Sequence, residues 1–226
     1  MTYTWLLFDA DGTLFDFERT AAAALVQTFA DFQVPYEPTF IERYRSIDER
    51  LWEALERGDV TREVLHVRRF AELLATIGVE RNAQNFADRY LEHVGEGTHL
   101  IDGAEHVVSI LAGRAHLALI TNGFAEVQRS RFARSTLTRY FETIVISEEV
   151  GVAKPDPAIF DEAFRRMGSP AKSDVLMIGD SLTADIRGGI EYGIDTCWFN
   201  PAGNAALPDM PISHIVSDLS EILTIL

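Results

Sequence analysis

The stretch Trp5-Leu6-Leu7-Phe8-Asp9-Ala10-Asp11-Gly12-Thr13-Leu14 sets four large apolar residues directly against two carboxylates. An apolar run this short, closed by a glycine, predicts a strand buried on both faces, as in a parallel sheet. In open α/β sheets ligands bind just outside the carboxyl ends of the strands, so Asp9 and Asp11 should face a crevice. Being two apart, they can point the same way while Ala10 points away. Gly12 permits a sharp turn, and Thr13 offers a hydroxyl and a backbone donor to a bound anion. A polar turn after a strand would look the same, so the rest of the chain has to discriminate.

Working outward, the pattern turns helical for about eighty residues. Leu25, Phe29 and Phe32 recur at helical spacing within residues 18–32, and Phe40, Tyr44, Ile47, Leu51 and Leu55 do so after Pro35 and Pro38. Thr61 is a plausible cap for a third helix lined by Leu65, Leu73, Leu74 and Ile77. Phe86, Tyr90, Leu91 and Val94 outline a fourth. Residues 16–96 are therefore expected to form a helical bundle inserted after the first strand.

From Gly103 the chain alternates. We expect helix 104–112, strand 116–120, helix 125–138, strand 141–146, helix 157–167, strand 174–178, helix 183–192 and strand 196–199, then a last strand and helix after Pro211. Such alternation specifies a parallel sheet with helices on its faces. Each strand hands over to polar residues: Thr121-Asn122-Gly123, then Lys154-Pro155, then Gly179-Asp180-Ser181 with Asp185 five residues on. Separately these could be a turn, a solvated lysine and helix caps. Asp156-Pro157 reads simply as a cap and a first helical residue. Their order along consecutive strand ends puts the others at one edge of the sheet.

That order resembles the haloacid dehalogenase superfamily, whose four motifs correspond to Asp9-Ala10-Asp11-Gly12-Thr13, Thr121-Asn122-Gly123, Lys154-Pro155, and Gly179-Asp180 through Asp185. The resemblance implies an α/β fold with a Rossmann-like parallel-sheet core (residues 1–15 and 97–226) and an α-helical cap domain (residues 16–96) inserted between the first and second motifs. Phe15-Asp16-Phe17, Ile120 to Phe124, Ser147 to Pro155 and Asp195 to Pro201 are similar to the bacterial pyrimidine 5′-nucleotidase branch, the YjjG-like proteins. That likeness implies a nucleoside 5′-monophosphate as substrate.

Phosphate monoesters hydrolyse so slowly that accelerations of up to about 10²¹ are needed, which calls for a nucleophile, an acid, a metal and an anion clamp together. Asp9 would attack phosphorus, and Asp11 would protonate the leaving oxygen and later deprotonate water. Mg²⁺ would sit between the acids and the phosphate, on Asp9, the backbone carbonyl of Asp11, and Asp180. Lys154 and Thr121 would hold the phosphoryl oxygens, with further donors from Gly12, Thr13, Asn122 and Gly123. Asp185 and Ser181 would support the ligands from behind, Asp185 through water or by orienting Lys154.

A halide leaving group needs no proton, so Asp11 favours phosphoryl transfer over dehalogenation. Hydrolysis of a sugar phosphate or phosphoglycolate, a phosphomutase, and a catalytically silent phosphate-binding protein all fit the same core residues. In the helical insertion Phe17, Tyr44, Trp52 and Arg69 could meet a base or sugar, although Tyr44 fits an apolar stripe and Arg69 reads as a solvated side chain.

Net charge is −15, which excludes a general nucleic-acid or anionic-membrane surface, so a substrate's charge must be met locally. The single cysteine, Cys197, lies in an apolar run, excludes an intrachain disulfide and reads as a buried thiol. The start lacks a basic, then apolar, leader, and no apolar run reaches the roughly 18 residues of a membrane span, so a cytoplasmic location is expected. The six histidines show no zinc-ligand spacing, and no dinucleotide or P-loop glycine pattern occurs.

Overall fold

The computed structural model describes residues 3–206 and 209–225. The chain divides into two compact units, Met1–Phe17 with Thr98–Leu226, and Glu18–Gly97.

In the first unit the strands are β1 (Trp5–Phe8), β2 (His116–Thr121), β3 (Thr143–Ile146), β4 (Val175–Gly179), β5 (Asp195–Phe199) and β6 (His214–Val216). They form one parallel sheet in the order β3-β2-β1-β4-β5-β6, so the fold is α/β. Phe8 is in register with Leu119 and with Ile178, which brings the residues following all three strands to one edge. Leu6, Leu7 and Phe8 are fully buried because both faces are covered. Leu6 and Phe8 pack with Val108, Leu111, Leu119 and Ile178 on one side, whereas Leu7 packs with Ile120, Phe160 and Met177 on the other. The period-two division is that of a central strand.

The helices of this unit are α5 (Ala104–Leu111), α6 (Ala125–Arg134), α7 (Ser147–Val150), α8 (Pro157–Arg166) and α9 (Arg187–Tyr192). Asp156 caps α8 by accepting from Ala158 N–H at 2.9 Å, with Pro157 in its first turn, as expected. Helix 125–138 is shorter than expected, because Ser135 adopts extended backbone. The residues before α9 form a wide π turn, Leu182–Ile186, in which the Ser181 carbonyl accepts from both Asp185 and Ile186. The last element is a 3₁₀ helix, Leu219–Thr224, held by a reciprocal Asp218–Glu221 cap. The short α7 carries too few residues to show a period.

The chain leaves and re-enters this unit at adjacent points. Asp16 N–H donates to His99 O at 3.0 Å, Ile101 N–H donates to Leu14 O at 2.9 Å, and Phe15 forms an antiparallel bridge with Leu100.

The second unit holds α1 (Phe17–Asp31, from its second residue), α2 (Thr39–Glu56), α3 (Arg62–Thr76) and α4 (Ala83–Glu96). Thr61 caps α3, accepting from Val64 N–H at 3.4 Å. The interior is aromatic: Phe29, Phe40, Tyr44, Phe70, Phe86 and Tyr90 are all buried. Arg69 is not the solvated side chain expected. It is 1% exposed, donates to Asp48 Oδ1 at 3.0 Å and to Tyr44 Oη at 3.2 Å, and lies over the Phe70 and Tyr90 rings. No helix of the described residues is long and apolar enough to cross a membrane.

Candidate active site

The carboxyl ends of β1, β2 and β4 gather the expected residues. Asp9 follows β1, and its N–H donates to Ile178 O at 2.8 Å, which keeps it in line with the sheet. The chain then turns back, with Leu14 and Phe15 N–H both donating to Ala10 O at 3.0 and 2.9 Å. Gly12 sits at φ +83°, where a Cβ would also meet Asp180 Oδ2 at 2.3 Å, so glycine is required twice over.

Lys154 Nζ donates to Asp9 Oδ1 at 2.5 Å, to Asp185 Oδ1 at 2.6 Å and to Ile120 O at 3.0 Å. An ammonium has three donors, and all three are directed at the protein. Asp185 uses its other oxygen to accept from Ser181 N–H at 3.0 Å, and Ser181 Oγ accepts from Ala184 N–H at 3.1 Å. Gly179 makes room for this arrangement, since a Cβ there would meet Asp185 Oδ2 at 2.3 Å. Asp180 accepts from Thr13 Oγ1 at 3.2 Å, and its carbonyl accepts from Trp198 Nε1 at 2.9 Å.

Four residues named as anion donors, Gly12, Thr13, Asn122 and Gly123, are occupied otherwise. Gly12 N–H donates to Phe15 O at 2.9 Å because the turn closes on it, and the Thr13 hydroxyl is spent on Asp180. The Asn122 amide grips the main chain of Lys154 from both ends, donating to its carbonyl at 2.9 Å and accepting from its N–H at 2.8 Å. Thr121 Oγ1 accepts from Gly123 N–H at 3.2 Å and from Gln128 Nε2 at 2.9 Å, and its own proton remains a donor.

Two further residues belong to the site and were not anticipated. Arg131 Nη1 donates to Asp11 Oδ1, and Gln128 Nε2 donates to Asp11 Oδ2 at 2.5 Å. The signal lay in α6, where Gln128 and Arg131 share the buried side with Val127 and Phe132. Two polar side chains on an apolar stripe need partners.

Electrostatically the cluster has more acid than its lysine can balance. Burial holds the Asp9 carboxyl well above the ordinary 3.8, with Lys154 opposing that rise and Asp185 and Asp180 adding to it. Burial, then Asp185, push Asp180 up to about 7. Burial works against charge on Lys154, yet Asp185 and Asp9 hold its pKa above the usual lysine value. One oxygen from each of Asp9, Asp180 and Asp185 lies within 4.8 Å of the others. An all-oxygen, carboxylate-rich set of this kind suits a hard divalent cation such as Mg²⁺. Asp185 enters this cluster where the carboxylate of Asp11 does not.

Residues 3–193 match the family model of haloacid dehalogenase-like hydrolases. The chain belongs to that family. The hydrolase is 37% identical over 224 residues to the Bacillus subtilis protein YfnB, named an HAD-hydrolase, a match covering 99% of this chain and 95% of that one. It is 36% identical to the Escherichia coli pyrimidine 5′-nucleotidase YjjG (98% and 97% covered) and 35% identical to the Streptococcus pneumoniae pyrimidine 5′-nucleotidase PynA (89% and 85%). The crystal structure of YfnB bound to magnesium superposes on the hydrolase with a TM-score of 0.96 at 36% identity, covering 100% and 99% of the two chains.

Proposed function

We propose that this hydrolase is a Mg²⁺-dependent phosphatase acting on a small phosphate monoester, a pyrimidine nucleoside 5′-monophosphate, through an aspartyl phosphate on Asp9. The observation that carries the reading is the second acid: Asp11 follows the nucleophile by two residues, and both its oxygens are anchored. A leaving alkoxide needs a proton, whereas a halide does not. The names of YjjG and PynA support the choice of substrate.

In the first step an oxygen of Asp9 bonds to phosphorus as the ester P–O bond breaks, and Asp11 gives its proton to the departing oxygen. In the second, water attacks phosphorus, Asp11 takes its proton, and the Asp9–phosphorus bond breaks to release phosphate. Lys154 balances the charge on Asp9 and exchanges one of its protein hydrogen bonds for a phosphoryl oxygen, while the Thr121 hydroxyl donates to another. Mg²⁺, held by Asp9, Asp180 and the backbone of Asp11, supplies positive charge to the phosphoryl group when bound. Asp185 and Ser181 keep Lys154 and the Asp180 loop in place. Selection among leaving groups is assigned to the helical unit, acting as a cap domain.

The test is phosphate release from nucleoside monophosphates, sugar phosphates and phosphoglycolate, with Mg²⁺ and with EDTA. Metal-dependent preference for pyrimidine monophosphates is expected. Preference for sugars would discard the substrate but keep the chemistry, and an isomerised phosphosugar in place of free phosphate would replace hydrolysis by a mutase reaction. Asp11→Asn should slow turnover by at least about 10²-fold.

A further inference from the structure

We infer that Arg131 and Gln128 are positioning residues for the acid, a pair on α6 that fixes the direction from which the Asp11 carboxylate reaches the leaving oxygen. The inference rests on the phosphatase reading of Asp11 and adds to it the device that aims the group.

The geometry is specific. The two side chains lie one turn apart on α6 and take one oxygen of Asp11 each. They are also joined to each other, Arg131 Nη1 donating to Gln128 Oε1 at 3.2 Å. Arg131 is fully buried, and its guanidinium lies over the ring of Phe15, 4.6 Å from the centroid, so its plane is fixed from a second side. The Asp11 side chain itself is 25% exposed. The anchor is thus enclosed while the acid it holds remains open to the site.

Gln128 extends the arrangement to the phosphate-facing strand end, because the same Nε2 that donates to Asp11 also donates to Thr121 Oγ1. Gly123 belongs to it too, since a Cβ there would fall 2.3 Å from Gln128 Nε2. Glycine at 123 is therefore explained by the passage of the glutamine amide. Stability alone is a weak reason for the pair, because a buried ion pair is often matched or bettered by apolar residues of the same volume. Fixed orientation is what an apolar replacement cannot supply, and misplacement of a reacting group by about 1 Å can cost about 10²-fold in rate.

The experiment compares kcat/KM, which reports transfer to Asp9, on two monoesters. One is a nucleoside 5′-monophosphate, whose alkoxide must be protonated; the other is an aryl phosphate whose acidic phenol leaves without a proton. With Arg131→Met, kcat/KM on the nucleotide should fall about 10²-fold while the aryl phosphate stays within about threefold; with Gln128→Met, which also frees Thr121 Oγ1, both esters lose rate but the nucleotide should lose about tenfold more than the aryl phosphate. Arg131→Lys, which keeps a charged donor, should recover part of the loss on the nucleotide only. Equal losses on both esters, or no loss on the nucleotide, would overturn the inference. Should Arg131→Met fail to fold, Gln128→Met carries the comparison. A parent enzyme inactive on both esters would instead refute the phosphatase reading, and the pair would then be judged by crystallography. An Asp11 carboxylate unmoved in Gln128→Met and Arg131→Lys would count against it, and a displaced one for it.

Discussion

Lys154 Nζ lies 2.6 Å from Asp185 Oδ1, with both side chains essentially buried, and Asp185 Oδ2 is fixed in turn by the N–H of Ser181. The ammonium is thereby held at the end of β1, against Asp9. Lys154→Met would leave two buried carboxylates facing each other, and removing one partner of a buried pair costs about 3–5 kcal/mol. Urea unfolding should show that loss near neutral pH, and less of it in acid, where Asp9, whose carboxyl burial already holds above the ordinary value, takes up a proton. Mg²⁺-dependent phosphate release should be lost at either pH.

Asp9→Asn removes the nucleophile while keeping its shape and taking one negative charge out of a crowded, buried cluster. Phosphate release should vanish, and the unfolding midpoint should stay at or above that of the parent. Retained Mg²⁺-dependent turnover would sink the aspartyl-phosphate mechanism.

Asp180, pushed up to about 7 from an ordinary 3.8, binds its proton more tightly in the folded protein than in the unfolded chain. Between those two values the folded state carries the extra proton, so the contribution of Asp180 to stability falls as pH rises through the window and is least favourable above it. Mg²⁺ bound at Asp180, as proposed, would take the place of that proton. Differential scanning calorimetry should therefore give a larger Mg²⁺-induced rise in Tm at about pH 8 than at about pH 5.5. Equal rises would remove Asp180 from the ligand set.

Gly12→Ala places a methyl group against Asp180 Oδ2 and forces a non-glycine residue to φ +83°. The backbone term alone is about 1–2 kcal/mol. The displaced carboxylate should raise the Mg²⁺ concentration needed for half-maximal activity, measured by titrating the metal into an EDTA-stripped sample.

Cys197 is buried in β5, and burial, with a smaller contribution from Glu221, pushes its thiol up to about 12. A maleimide should leave the native protein unlabelled and react fully once urea has unfolded it. Rapid native labelling would contradict the packing of β5 against its neighbours.

The sequence was most informative where local pattern and structure share a period. Leu6 to Phe8 are apolar without alternation because helices cover both faces of the strand, and that continuity was visible in four letters. Asp9 and Asp180 were legible because each comes at the end of such a run, and Lys154 by its place between the third and fourth strands. The grip of α6 on Asp11 was not, since Gln128 and Asp11 are 117 residues apart and their pairing is a product of strand order. Arg69 misled for the opposite reason: arginine is usually solvated, and its burial depends on Asp48 arriving from another helix. Asn122 and Thr13 had the right chemistry for an anion, but the nearer claims of Lys154 and Asp180 take their side chains.

The paired segments around Phe15 and Leu100 have a consequence for chain length. Because the α/β unit itself ties together the points where the chain departs and returns, the intervening stretch behaves as a closed loop whose entropic cost grows only with the logarithm of its size. Doubling it would add about 0.6 kcal/mol. Insertions can therefore be enlarged, shortened or exchanged wholesale while the sheet and its row of acids stay as they are, which leaves one half of the molecule free to diversify while the other holds the chemistry constant.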